Sequence, residues 1–301
     1  MNPMLRLILA QGMLGLNNGV FYAMLSLGLA VIFGLLDVVN FAHGALYMSG
    51  AFLAIILYSY IGTWLGLSWL HIGFWAALVL VPLIVACFGM LFERFLLRWL
   101  YGLDPIYSLL LTFGAALVLQ GIFINGFGAS GTPYPGTPDQ LQGIVNLGFM
   151  MFPKFRLFTI IFSILVCIGV WFLIERTRIG AVLRAGTENP DLVRAFGINV
   201  SRLITLTFGF GTGLAGLAGV LAAPIYSVTP LMGDDLIIII FAIVVIGGMG
   251  SIMGAVVTSL GLGLLEGVVK VFYAPAANTV VFIAMVLVLL VRPSGLFGRQ
   301  R

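Results

Sequence analysis

The chain has 301 residues, of which 61% are hydrophobic and 8% are charged, and its formal net charge is +4. A soluble domain is about half apolar and about a quarter charged, so this composition excludes a water-soluble globular protein. The positive charge does not indicate nucleic-acid binding, because the basic residues lie between apolar stretches and form no tract interleaved with aromatic residues.

Long stretches without an acidic or basic residue follow one another along the chain. A membrane-spanning helix needs about 20 apolar residues, and the stretch 38–92 is long enough for two such helices. We therefore expect an all-α polytopic membrane protein whose single transmembrane domain covers 1–301. The expected helices lie at 8–36, 41–62, 72–97, 106–127, 157–175, 203–227, 236–250, 254–271 and 278–292.

The first connection, GLLDVVNFAHGALYMSGAF at 34–52, places Asp37, Asn40 and His43 between apolar helices. Polar residues beside glycines are typical of an unwound connection that lines a cavity, where protein or water shields the backbone. An ordinary cytoplasmic turn in which Asn40 caps the next helix explains the same residues. The sequence leaves both interpretations open. A metal site at His43 is not expected, because no second ligand lies at helical spacing.

Lysine and arginine gather in the loops that face the cytoplasm. The three segments where they concentrate are 94–98, 176–202 and 292–301. We expect these segments on the cytoplasmic side and, with nine crossings, the N-terminus outside. The loop 128–156 then lies on the outer face, although Lys154 and Arg156 end it. Loops of this length are often functional.

The segment 175–202 holds eight of the chain's charged residues between two apolar runs. Within it, TENPDLVRAFGIN at 187–199 predicts a short helix, with Thr187 as its cap, Pro190 in its first turn and Gly197 as its stop. Its expected apolar side comprises Leu192, Val193, Ala195 and Phe196. A solvated positive loop would explain the arginines, whereas a surface that contacts another protein would also explain the capped helix.

Small residues four apart recur in the later helices, as at Gly209/Gly213 and Gly263/Gly267. Such spacings let helices approach closely in lipid, so we expect tight packing there. The run GGMGS at 247–251 is typical of a bend. The helix at 236–250 is therefore either a full span or a broken or re-entrant one, and the number of transmembrane helices is eight or nine.

Several motifs of enzymes and ion-coupled carriers are missing from the sequence. GTGLAG at 211–216 fits a dinucleotide fingerprint only formally, since no strand precedes it. No P-loop and no zinc-protease motif occurs. Glu266 is the one acid deep in an apolar run, and we expect it to pair with Lys270 and reach the membrane interface. A transporter with this composition is passive or draws its energy from another subunit.

Four blocks of the sequence resemble LivH-type permeases, the membrane subunits of branched-chain amino acid ABC importers. They are NNGVFYAMLSLGLAVIFGLLDVVNFAHGALYMSGAF (17–52), RTRIGAVLRAGTENPDLVRAFGINVSRLITLTFGFGTGLAGLAGVL (176–221), VIGGMGSIMGAVV (245–257) and LLVRPSGLFGR (289–299). The resemblance covers essentially the whole chain. It implies an ABC importer permease fold in the bilayer of the bacterial inner membrane, without catalytic residues or a cofactor.

The resemblance also implies partners and sites. The partners are a second homologous permease, two cytoplasmic ATPase subunits and a periplasmic binding protein that delivers a small-molecule substrate. The segment 176–202 would be the cytoplasmic coupling loop, and 128–156 would be the periplasmic loop. Residues expected to contact the ATPase are Glu188, Asp191, Leu192, Arg194, Phe196 and Gly197. Candidate residues of the translocation pathway are Asn17, Tyr22, Asn40 and His43.

Two functions from different classes remain open on the sequence. One is an importer permease for branched-chain or related small amino acids, driven by partner ATPases. The other is a self-sufficient channel or facilitator for a small solute such as urea or an amide. The sequence does not choose among substrates, because relatives with similar permeases import several kinds of small solute.

Overall fold

The computed structural model describes residues 2–36, 38–61, 73–188 and 190–298, which form eleven α-helices and one short β-hairpin. The helices are α1 (Pro3–Leu36), α2 (Ala42–Ile56), α3 (Phe74–Phe95), α4 (Pro105–Phe127), α5 (Lys154–Arg176), α6 (Arg178–Glu188), α7 (Pro190–Ala195), α8 (Val200–Ala222), α9 (Asp234–Gly247), α10 (Ile252–Phe272) and α11 (Thr279–Val291). Among the described residues, seven helices are long and apolar enough to cross a membrane. The expected all-α polytopic membrane protein is confirmed.

Each of the nine expected helices has a counterpart, although the ends differ by several residues. The counterpart of the helix expected at 236–250 is short: α9 has 14 residues, a length of about 21 Å against a hydrocarbon core of about 30 Å. α11, with 13 residues, is shorter still. The bend follows α9 directly, because Gly248 and Gly250 have φ values of +98° and +80°. Glycine adopts such angles without steric cost.

The chain divides into two compact units. Unit 1 comprises Met1–Ala30, Thr137–Gly169 and Ile238–Arg301. Unit 2 comprises Val31–Gly136 and Val170–Ile237.

Glycines bring α8 close to two other helices of unit 2. A Cβ on Gly50 of α2 would lie 2.5 Å from the carbonyl oxygen of Gly216 in α8. Toward α3, a Cβ on Gly213 would lie 3.2 Å from the Cβ of Ala86. In lipid, helices associate by such close backbone packing, since apolar burial alone gives no advantage over lipid tails. The tight packing predicted from the small residues of α8 is confirmed.

In unit 1, α1 and α10 cross at four glycines, which are Gly15, Gly19, Gly263 and Gly267. A Cβ on Gly19 would lie 3.1 Å from the carbonyl oxygen of Ser259. Nearby, the hydroxyls of Ser26 and Ser259 hydrogen-bond at 2.8 Å in a buried position. The small-residue spacing predicted at Gly263 and Gly267 therefore serves the contact with α1.

The long connection 128–156 contains a hairpin that the sequence reading did not anticipate. Strands β1 (Ile144–Asn146) and β2 (Met151–Pro153) pair antiparallel, with Asn146 opposite Met151. The Asn146 side chain accepts the Gly148 N–H at 2.8 Å, and Gly148 has a φ of +82°. An Asn side chain that accepts the backbone N–H two residues on forms an Asx turn, a common basis for a tight turn. The strands are three residues long, too short to produce a recognisable alternation in the sequence.

Candidate functional site

The helix α7 lies in the charged segment and ends in a defined stop. The Gly197 N–H donates to the Arg194 carbonyl at 2.9 Å, and the Ile198 N–H donates to the Val193 carbonyl at 3.3 Å. Gly197 itself has a φ of +79°. These two hydrogen bonds, together with a glycine in the left-handed conformation, form the Schellman motif that ends helices. The helix end predicted at Gly197 is confirmed.

Two apolar side chains of this segment point away from the protein. Leu192 is 55% exposed and Phe196 is 77% exposed, and they stand four residues apart. Val193 is buried, so the apolar side expected for this helix is divided between an inward and an outward face. Arg194 is also exposed and lines a shallow depression together with 197–201. The outward face is the part available to another protein.

The expected start of this helix at Thr187 is wrong. Residues 178–188 already form α6, so Thr187 lies inside that helix and Glu188 is its last residue, while Asp191 lies in α7. The sequence RIGAVLRAGTE has the amphipathic pattern of a surface helix, which was the signal available for α6. Pro190 is the first residue of α7.

The connection between α1 and α2 is buried inside unit 2. Asn40 is 0% exposed, and its Oδ1 accepts the Ala42 N–H at 3.1 Å. The backbone N–H of Phe41 donates to the Thr112 hydroxyl of α4 at 3.2 Å. Asn40 therefore hydrogen-bonds to the start of α2 from within a buried break. It is not the N-cap that one interpretation expected, because Phe41 holds that position without a side-chain cap bond. Asp37 lies outside the described residues. His43 is fully buried in the first turn of α2.

The expected pairing of Glu266 with Lys270 is confirmed, and Glu266 is buried within the protein. Its side chain is 3% exposed and lies against α1 in unit 1. It accepts hydrogen bonds from the Tyr22 hydroxyl at 2.9 Å, from Asn18 Nδ2 at 3.4 Å and from Lys270 Nζ at 2.5 Å. Three donors offset the cost of burying a carboxylate, so the group has no need to reach water. Of the candidate pathway residues, Tyr22 therefore contacts Glu266.

Two candidate pathway residues carry buried polar atoms without a hydrogen-bond partner among the described residues. They are Oδ1 of Asn17, in unit 1, and Nδ2 of Asn40, in unit 2. An unsatisfied buried polar atom costs free energy and is a natural contact for a polar solute or for water. The described residues contain no group of three or more His, Cys, Asp or Glu that could hold a metal ion.

The chain matches the family model described as branched-chain amino acid transport system, permease component, over residues 13–291. The chain belongs to this permease family. It is 32% identical to the high-affinity branched-chain amino acid transport system permease protein BraD of Pseudomonas aeruginosa, over 95% of this chain and 94% of that protein. It is 29% identical to the permease protein LivH of Escherichia coli K12, over 95% and 94% of the two chains.

A second kind of relative is more distant. The permease protein LivM of Salmonella typhimurium is 25% identical over 93% of this chain and 68% of that protein. No solved structure matches the chain. Membership in the permease family confirms the resemblance seen in the four sequence blocks. The protein is a membrane permease component of a transport system.

Proposed function

We propose that this permease forms the translocation pathway of an ATP-binding cassette importer for branched-chain or related small amino acids in the bacterial inner membrane. The similarity to BraD and LivH over nearly the whole of both chains supports the substrate class. Because the chain is similar to both LivH and LivM, a second, homologous permease is the expected partner within the membrane.

The energy comes from two cytoplasmic ATPase subunits, since the sequence has no P-loop of its own. The ATPase contacts the segment 188–197, and the outward face of α7 carries the contact. Leu192 in α7 and Phe196, directly after its last residue, expose apolar surface. Exposed apolar side chains gain free energy when they enter a partner's groove. Arg194, which is also exposed, adds a positive charge beside them, and such charges favour one orientation of docking. Glu188, Asp191 and Gly197 remain the other expected contacts.

Asn17, Tyr22, Asn40 and His43 are the candidate residues of the pathway. Each is buried in a helix or helix break of an otherwise apolar membrane protein, and Asn17 and Asn40 each retain an unsatisfied polar atom among the described residues. Amino acids are zwitterions, which require polar contacts to cross an apolar barrier. Amides can donate to the carboxylate and accept from the ammonium group of such a solute.

A periplasmic binding protein delivers the substrate to the loop 128–156. The hairpin in this loop exposes Ile144 and Met151 on its two strands. Its base is anchored, because Phe152 is buried in a core cluster with Val20 and Ile160. A hairpin with a fixed base and exposed apolar side chains suits a docking partner better than an unstructured loop, since less conformational entropy is lost on binding.

Two matched double variants test whether the α7 segment contacts the ATPase and whether the hairpin contacts the binding protein. Replacing Leu192 and Phe196 with Ser should leave expression near normal, weaken recovery of the ATPase with the membrane subunits and abolish ATP-driven uptake of labelled leucine. Replacing Ile144 and Met151 with Ser removes a comparable pair from the hairpin. This second variant should keep the ATPase and its basal hydrolysis, and lose only the stimulation by the binding protein. If the α7 variant assembles and transports like the parent, the coupling assignment is wrong.

A further inference from the structure

A buried carboxylate lies near the end of α3 in unit 2. The Glu93 side chain is 0% exposed. It accepts hydrogen bonds from the Thr205 hydroxyl at 2.6 Å, from the Tyr101 hydroxyl at 3.2 Å, and from two guanidinium nitrogens of Arg98 at 3.4 Å each. Burial, together with the negative charge of Glu93, raises the pKa of Tyr101 above its ordinary value, which keeps that hydroxyl protonated as a donor. All of these donors except Thr205 lie on α3 or just after it.

Thr205 and Arg98 fasten α8 to this carboxylate. Arg98 Nη2 donates to the Thr205 oxygen at 2.7 Å and approaches the Ser201 carbonyl at 3.5 Å. The Thr205 hydroxyl has one proton, and its shorter contact, to Glu93, identifies the carboxylate as the acceptor. The first two turns of α8 are therefore held to the end of α3 by charge-assisted hydrogen bonds, which are shorter and stronger than neutral ones.

The same turns of α8 follow α7 after only four residues. Residues 196–199 connect α7 to α8, and Gly197 is fixed by the stop described above. The Asn199 side chain accepts the Arg202 N–H at 3.1 Å and caps α8. A connection so short and so fully hydrogen-bonded has little freedom to absorb a displacement of α7. A movement of α7 therefore reaches the first turns of α8.

Close packing connects α8 to α2, the helix that carries or adjoins two candidate pathway residues. α8 contacts α3 through Gly213 and contacts α2 through Gly216, with no space for a side chain at the α2 crossing. α2 carries His43 in its first turn, and the Asn40 side chain accepts the N–H of Ala42, its first residue. Close-packed interiors transmit strain because they contain few voids that could absorb it.

We propose that Thr205, Glu93 and Arg98 are positioning residues for coupled transport, which make α3 and α8 move together when an ATPase displaces α7. This inference rests on the proposed function, because α7 transmits movement only if an ATPase seats on it. A purely stabilising role is a poor explanation for the cluster, since apolar residues of similar volume hold helices together as well as a buried ion pair does. Ionisable groups within membrane helices are generally retained for function.

Thr205→Val and Thr205→Ser provide the test in the assembled complex, with both permeases, the ATPases and the binding protein. Valine has the shape of threonine but loses the hydroxyl, whereas serine keeps it. Thr205→Val should retain assembly and ATP hydrolysis, while leucine uptake per ATP hydrolysed falls roughly tenfold, the effect expected for one lost hydrogen bond to a charged group. Thr205→Ser should resemble the parent. Ser26→Ala, which removes a buried hydroxyl between α1 and α10 in unit 1, should also keep the parental ratio.

Two outcomes would overturn the inference. One is a Thr205→Val complex with the parental ratio of uptake to hydrolysis. The other is a loss of uptake and of hydrolysis in equal proportion, which would follow from a structural defect alone. If the parent complex itself takes up leucine without ATP, the proposed function fails, and the positioning role fails with it.

Discussion

Glu93 in unit 2 and Glu266 in unit 1 are chemically alike but differ in what they connect. Each is a buried carboxylate on a membrane helix, and each accepts hydrogen bonds from a tyrosine hydroxyl and a basic side chain. The partners of Glu266 lie on α1 and on its own helix, α10. One partner of Glu93 is Thr205 on α8, ten residues beyond Ala195, the last residue of α7. Both carboxylates are buried and paired. Their proposed roles therefore differ because their partners lie on different helices.

The largest expected effect comes from removing the basic partner of each carboxylate. Arg98→Met and Lys270→Met each leave a buried carboxylate without its cation, and we expect each to lower the free energy of unfolding by about 3 kcal/mol. The two losses should be similar, because Arg98 and Lys270 are 34% and 36% exposed. Thermal unfolding of the purified complex measures this effect.

The two variants should differ in leucine uptake per ATP hydrolysed, although they are similar in stability. At a temperature where both variants are folded, Arg98→Met should hydrolyse ATP with little uptake, whereas Lys270→Met should keep the parental uptake per ATP. A Lys270→Met complex that is uncoupled as strongly as Arg98→Met would remove the distinction between the two carboxylates.

A smaller effect comes from the glycine crossings of the two units. Gly50→Ala would place a Cβ 2.5 Å from the Gly216 carbonyl oxygen, so the helices must separate, at a cost of about 1–3 kcal/mol. Gly19→Ala would place a Cβ 3.1 Å from the Ser259 carbonyl oxygen and should cost less. Gly121→Ala is the control, because nothing lies within 4 Å of it, and it should stabilise the helix slightly. The order of the three thermal unfolding midpoints checks the prediction. A Gly50→Ala protein as stable as the Gly121→Ala protein would contradict the close crossing of α2 and α8.

Features that depend on neighbouring residues were predictable from the sequence. The helices followed from long uncharged runs, the end of α7 followed from Gly197, and the close crossings followed from small residues four apart. Each of these signals is local, because helix length, a left-handed glycine and one face of a helix are all determined within a few residues. The amphipathic pattern of α6 was equally local, but the helix-start signals at Thr187 and Pro190 favoured a later beginning.

Features that depend on distant residues were not predictable. In the sequence, Glu93 is only the charged residue that ends an apolar stretch. Its buried carboxylate accepts a hydrogen bond from Thr205, which lies 112 positions later. Glu266 was expected to pair with Lys270 because that residue lies one turn away, but its carboxylate is also held by Tyr22, 244 positions earlier. A periodic pattern shows which face of a helix is polar, and it does not show which other helix covers that face.

ATP dependence in reconstituted liposomes tests most directly whether this permease works as part of a powered importer. Liposomes should contain this chain with its second permease and the ATPases, and labelled leucine and the binding protein should be supplied on the outer face. We expect leucine to accumulate only when ATP and the binding protein are both present, and we expect no uptake into liposomes that contain this chain alone. Equilibration of leucine, urea or an amide through this chain alone, without ATP, would contradict the proposed function and identify the protein as a self-sufficient channel.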